Sequence, residues 1–508
     1  MSSLDGTRTY GILAVALVPF VFLATLNSAG YRYGASDQAF YAPAILKAIE
    51  PALYPRDSEL IRAQARLTLV DDVLGPIARA SGASLPVAFV VLQIVSLSLL
   101  ALAALRIAAM LYRTEWGAVA LLAALTLRHA ITKSGTNTLE GYFHPRQLAF
   151  AIGALAVAHF MRGRYRVMWM LVAVAGALHP TTALWFALWL GVATVLAEPR
   201  LRVPIAVGAA AGAVAVAWGL SAGPLAGRLV RMDPIWLDTL AAKDYLFPLG
   251  WPVFAWLVNL GYLPLIIWIY RRRRAAGLVV PREGALVAGC LSLVLVFAAA
   301  LPLNATGVAL AIQLQPARIF WMLDFLAVIY VVWAAAEGGV AAVASRRARG
   351  VITDARRARI VALAIALLST VRGAYIKLVE FPDRPVARVS IGDDDWGRAM
   401  EWARATPTGS GWLADPEHAA RYGTSVRVAA HRDVLVEAIK DGAVGMYDRA
   451  TAMRTRERVE AVGDLTTLTA ERARVLARQY DLDYLVTEER IDLPLAFESG
   501  AIRIYNLR

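Results

Sequence analysis

An aspartate stands among aromatic and small residues in Tyr31-Arg-Tyr-Gly-Ala-Ser-Asp37-Gln-Ala-Phe-Tyr41, directly after an apolar run. A carboxylate in that position has two readings. It can cap the helix predicted from Gln38 to Ile49, because Asp is a favoured N-cap acceptor. It can also serve a reaction centre, as a general base or as a metal ligand. The two readings are compatible.

A second polar stretch reads Arg128-His129-Ala-Ile-Thr-Lys133-Ser-Gly-Thr-Asn137-Thr-Leu-Glu140-Gly-Tyr142-Phe-His144-Pro-Arg146-Gln147. Further along, His179 precedes Pro180, and Gln313-Leu-Gln315-Pro-Ala-Arg318 opens another apolar run. Cations held at membrane depth or beside it usually have an anionic partner. Arginine grips phosphate oxygens through a planar fork, so Lys133, Arg146 and Arg318 suit a phosphate ligand, with His144, His179 and Gln315 as polar company. The bland alternatives are that each His caps the turn before its proline and that Arg146 and Arg318 pair with lipid headgroups. Arg56-Asp57-Ser-Glu59 reads as the solvated start of an amphipathic helix. Asp324, inside an apolar run, must face other helices and pair with a cation or a hydroxyl.

The elements that must position these residues are mostly membrane helices. The 508 residues are 58% hydrophobic, above the roughly 45–50% of soluble domains. Apolar runs recur at lengths that cross roughly 30 Å of hydrocarbon. Their positions are 10–30, 86–112, 116–132, 146–161, 166–179, 181–198, 202–221, 250–270, 284–303, 319–337 and 358–376, about eleven spans in all. The first is read as a retained anchor, since Ala24 to Gly30 makes a poor cleavage site. Leu178-His179-Pro180-Thr181-Thr182 splits one long apolar stretch, because proline removes a helix donor and restrains the residue before it. Two short helices meeting at a turn fit that stretch better than one kinked helix.

Basic residues crowd alternate loops: Arg106 and Arg113; Arg162, Arg164 and Arg166; Arg200 and Arg202; Arg271 to Arg274; and Arg346, Arg347, Arg349, Arg356, Arg357 and Arg359. By the positive-inside rule these loops are cytoplasmic, and the tetra-Arg reads as a stop-transfer anchor. The net charge of +13 is therefore topological and does not indicate a nucleic-acid partner. The long loop 31–85, which carries Asp37, is charge-balanced and falls outside with the polar stretches above. Trp251, Trp268, Tyr270 and Trp321 read as interfacial anchors. Lone Cys290 excludes a disulfide framework and a thiolate metal site. No phosphate loop, Gly-x-Ser-x-Gly or His-Glu-x-x-His pattern occurs. The Asn304-Ala-Thr306 sequon is set aside in a chain whose excess of Arg over Lys points to a GC-rich bacterial genome.

From about Leu378 the composition turns charged and mixed, enough for one small domain. Strands are expected at Gly411 to Asp415, near Ser425 to Ala430 and at Asp483 to Thr487. Helices are expected at Pro416 to Tyr422 and Glu471 to Tyr480, and a hairpin from Leu493 to Asn506. The expected organisation is a transmembrane domain over 1–377, with its long first loop, and an extracytoplasmic α/β domain over 378–508.

This layout resembles the GT-C class of membrane glycosyltransferases. The resemblance rests on an outer first loop with an acid near its start, about eleven spans, and a C-terminal α/β unit. That unit closes on Asp483-Tyr-Leu-Val-Thr487 and Ser499-Gly-Ala-Ile-Arg-Ile-Tyr505. The resemblance implies a mostly α-helical polytopic protein of a bacterial plasma membrane. It also implies transfer of a sugar from a polyprenyl-phosphate donor to an extracytoplasmic glycan or lipid acceptor. By position Asp37 would be the base or a ligand of a divalent cation, Mg or Mn. The paired acid common in the class is a single residue here, in Ser36-Asp37-Gln38. Two other classes stay open: a transporter or flippase of lipid-linked or anionic solutes, and a non-catalytic envelope assembly protein.

Overall fold

A computed structural model describes residues 6–65, 68–223, 225–338 and 355–508. Arg346, Arg347 and Arg349 lie outside the described residues. Helix dominates, with a small sheet near the C-terminus. Each of the eleven apolar runs contains a helix, from Gly6–Asn27 through Leu85–Leu111 and Pro145–Met161 to Ala355–Tyr375. Among the described residues, seven helices are long and apolar enough to cross a membrane, which marks a membrane-embedded protein.

The core is built from close backbone approach. Leu85–Leu111 brings Ala101, Ala104 and Ala108 fully out of solvent, and Pro145–Met161 does the same with Ala151, Ala154 and Ala158. Small residues of this kind let membrane helices pack by van der Waals contact where no hydrophobic drive exists. The split at Pro180 produces two helices, Tyr165–Leu178 and Pro180–Ala197, with His179 extended between them. The Trp169 ring lies 3.6 Å from where a Cβ on Gly191 would sit, so the second helix folds back along the first.

Several expectations are corrected. The run expected over 116–132 ends as a helix at Leu125. Thr126 turns its hydroxyl to the Ala123 carbonyl and to Ser369 Oγ, both at 2.6 Å, and the chain then forms a tight hairpin of Ala130–Ile131 with Thr136–Asn137. Arg273, one of the four arginines read as a stop-transfer anchor, is buried. It donates to Glu283 at 2.6 Å with its guanidinium over the Trp333 ring. Asp324 does face the bundle, 4% exposed, and meets His129 Nε2 at 3.1 Å.

The basic ends of the helices come together. Arg162 donates to the Arg106 carbonyl, Arg273 to the Leu111 carbonyl, and the Arg113 and Thr114 amides to Glu337. The opposite ends carry the polar loops and the C-terminal unit. That unit holds a five-stranded sheet in the order Asp433–Val434, Gly411–Leu413, Tyr484–Thr487, Ile502–Asn506, Leu495–Ser499. The first three strands run parallel, and the last two are the expected hairpin, antiparallel to their neighbours. The strand expected near Ser425 to Ala430 is instead the short helix Val426–Ala429, because Ser425 Oγ accepts from the Val428 amide at 3.1 Å.

The first loop folds into helices Gln38–Ile49, Ser58–Ala65 and Val70–Ser81 and packs into the C-terminal unit. Tyr31–Arg32 pairs in parallel with Ala387–Arg388, and Tyr54 donates to the Arg427 carbonyl at 2.7 Å. Asp57, expected on a solvated face, is 1% exposed. Its two oxygens take Arg427 Nε at 2.8 Å and Arg454 Nη2 at 2.5 Å. Glu59 is exposed as expected.

Candidate functional site

Asp37 precedes its helix without capping it: no helix amide donates to its carboxylate. The local cause is in the preceding turn. Ser36 takes a left-handed backbone (φ 51°), and the Gln38 side chain accepts from the Gly34 amide at 2.6 Å. The helix-cap reading is therefore corrected. The carboxylate instead meets Lys440 Nζ at 2.8 Å through Oδ1 and His144 Nε2 at 3.3 Å through Oδ2.

The contacts of His144 assign its tautomer. Its Nδ1 accepts from the Arg146 amide at 3.0 Å, capping the helix that starts at Pro145. The neutral ring's proton is then on Nε2, which faces Asp37 and the Tyr41 hydroxyl, the latter at 2.9 Å. The cap and the site contact are thus made by one ring. Burial first, and then Arg146, push the His144 ring down to about 3, so it is a neutral donor at physiological pH. Burial would raise the Asp37 carboxyl, but Lys440 and then the His144 hydrogen bond outweigh it and hold it well below the usual carboxylate range.

A cleft of about 420 Å³ opens over this carboxylate. Asp37, Lys133, Glu140, Tyr142, Arg146 and Tyr245 are among the residues that line it. Arg146 is 4% exposed and donates to Glu140 Oε1 at 3.1 Å and the Gly135 carbonyl at 3.3 Å. Lys133 pairs with Asp244. Burial raises the Glu140 carboxyl, with Arg146 opposing. His179 caps its own helix, with Nδ1 facing the Thr182 hydroxyl at 2.9 Å, and its ring stands edge-on to His144 at 6.3 Å.

Arg318 is the unusual member. Burial first, and then Arg146, lower its guanidinium to about 10, its Nε is out of water without an acceptor, and no carboxylate forms an ion pair with it among the described residues. A buried guanidinium without an ion-pair partner is suited to take an anion.

Sequence reasoning placed Asp37, Lys133, His144, Arg146, His179 and Arg318 in one neighbourhood, and the structure brings them together. Gln315 is set apart. Its amide nitrogen reaches the Tyr447 hydroxyl at 3.2 Å, so it fastens the C-terminal unit and does not line the cleft. Sequence reasoning missed Lys440, Tyr245 and Tyr447. Lys440 is a single cation in the helix Ala438–Val444, 403 residues from Asp37, and no local signal marks it.

A divalent cation does not suit this donor set. Asp37, Glu140 and Asp244 each already face a cation, namely Lys440, Arg146 and Lys133, and Arg318 adds further positive charge. The chain matches no protein-family model, and comparison with curated proteins finds no significant match. Fold and site together define a membrane-embedded helical protein with a polar cleft in which Asp37 meets His144 and, from the C-terminal α/β unit, Lys440.

Proposed function

We propose that this protein transfers a sugar from a polyprenyl-phosphate donor to an acceptor hydroxyl outside the cytoplasmic membrane. The reading takes about eleven spans, with the first loop and the C-terminal unit on the outer face. The observation that carries it is Arg318, a buried guanidinium without an acid partner among the described residues, within electrostatic reach of Arg146 and Asp37, which line the cleft.

In the transfer, the acceptor oxygen bonds to the anomeric carbon as the bond from that carbon to the phosphate oxygen breaks. The acceptor's proton passes to Asp37, and the polyprenyl phosphate leaves as an anion between Arg318 and Arg146. Lys440 and His144 keep Asp37 ionised and aimed. Its basicity suffices because the hydroxyl acidifies as the new bond forms. Arg318 and Arg146 are in place before charge develops on the leaving group, which is where electrostatic stabilisation contributes most. Apolar helices beside the cleft suit a donor whose tail stays in lipid. The resemblance to GT-C enzymes supports the same reading.

The test is transfer of label from polyprenyl-linked sugars by purified protein in lipid. Arg318→Ala should lower kcat by roughly 10²–10³, the range for losing one preorganised charge-stabilising donor, and Asp37→Asn should abolish transfer. Full activity in both variants overturns the site. A wild type that consumes no such donor but moves an anionic solute across liposomes overturns the reaction class.

A further inference from the structure

A second cationic cluster lies outside the cleft. The parallel pairing of Tyr31–Arg32 with Ala387–Arg388 sets Arg32 directly opposite Arg388. Like charges in register are destabilising unless something neutralises them. The pairing is nevertheless firmly built: the Tyr31 amide donates to Val386, the Tyr33 amide to Arg388 and the Arg32 amide to Gly141, all at 2.8–2.9 Å. Three more arginines are held on the segments that flank this pair. Arg128 is held by the Leu139 carbonyl at 3.0 Å, Arg372 by Asn27 Oδ1 at 2.8 Å, and Arg384 lies over the Phe381 ring at 3.8 Å.

The acids that face them are few. Asp394 meets Arg388 at 3.1 Å, and Glu380 stands between Arg372 and Arg384 along the chain. Arg32 has no acid partner among the described residues, and its Nε is removed from water with no acceptor. Burial first, then Arg384 and Arg388, lower its guanidinium to about 10. None of the five arginines lines the Asp37 cleft. Immediately beside them the last long helix and its continuation expose Val371, Tyr375, Leu378 and Val379.

We propose that Arg32, Arg128, Arg372, Arg384 and Arg388 form a second anion site that takes the phosphate of an anionic lipid headgroup. The shared chemistry is a phosphate ester with net negative charge. The exposed apolar run next to Arg384 favours a phosphate attached to acyl chains over a free one, because the chains can lie along that face while the headgroup meets the guanidinium forks. The lipid ties the first loop, the last helix and the start of the C-terminal unit together at the bilayer edge.

The test titrates full-length protein in neutral detergent with phosphatidylglycerol, phosphatidylcholine or inorganic phosphate and follows the melting temperature. Phosphatidylglycerol should stabilise saturably, with an affinity that falls as salt rises. Arg384→Gln with Arg388→Gln should weaken it roughly tenfold or more, given the usual contribution of each basic residue at a lipid surface. Arg474→Gln with Arg478→Gln, removing two exposed charges elsewhere, should leave it unchanged. Equal stabilisation by phosphatidylcholine or by inorganic phosphate overturns the proposal, as does an unchanged affinity in the 384/388 pair. Should that pair fail to fold, the wild type decides: an affinity for phosphatidylglycerol indifferent to salt also overturns it.

Discussion

Replacing Lys440 with Met keeps most of the side-chain volume and removes the charge that faces Asp37. The two charged atoms are 2.8 Å apart, with the side chains 14% and 27% exposed. Unit charges at 4 Å attract by about 4 kcal/mol at an effective dielectric of 20 and by about 1 kcal/mol in bulk water. The partial exposure places this pair between the limits. His144 still donates to Asp37 in the variant, and water reaches the freed oxygen. A loss of about 2 kcal/mol follows, above a surface pair and below a fully buried one. Because Asp37 is held below its ordinary value, its contribution is present above that value and is lost as pH falls through the lowered one. Melting of purified wild type and Lys440→Met, followed by tryptophan fluorescence across acid to neutral pH, should show the full gap at neutrality and convergence in acid. If the cleft performs the proposed transfer, the acid limb of the variant's activity should also move to higher pH. A stability gap of the same size at every pH would refute the reasoning, since it would show that Lys440 acts through packing alone.

Two further outcomes concern the C-terminal unit. Asp57→Asn should cost about 3–5 kcal/mol, the range for breaking one partner out of a buried ion cluster, because Arg427 and Arg454 both lose the facing negative charge and one of them meets an amide nitrogen in place of an oxygen; chemical denaturation of the full chain measures it. Glu437 is buried with neither carboxylate oxygen hydrogen-bonded, and burial, opposed by Arg427, pushes it from 4.5 up to about 7. Its raised carboxyl favours the folded chain below about 4.5, and that contribution is lost as pH rises through about 7, so Glu437→Gln should flatten the decline in melting temperature over that window.

Much of the architecture is legible in the residues. Runs of apolar side chains long enough for a bilayer announce helices whatever they pack against, since an unsatisfied backbone is prohibitively costly in lipid. Pro180 and Pro145 mark helix starts through a local effect on φ and on the missing donor, and both appear where the chain says they should. The polar residues that offend the positive-inside tendency, Lys133, Arg146 and Arg318, were also visible, because topology alone gave no reason for them.

Where a side chain's partner is distant, sequence alone decides little. Asp37 is a favoured cap residue, yet its carboxylate turns to Lys440 and His144, because Coulomb attraction to a cation outweighs a single cap hydrogen bond. Asp57 looked solvated because its neighbours are polar, and Arg427 and Arg454 bury it from nearly four hundred residues away. Ser425 to Ala430 carries β-branched valines, but one serine cap and the packing of Arg427 inward make it a helix. Composition and periodicity thus set which segments are helices and which polar residues needed an explanation. The tertiary structure chose their partners, because charge interactions depend on distance in space and carry no trace of separation along the chain.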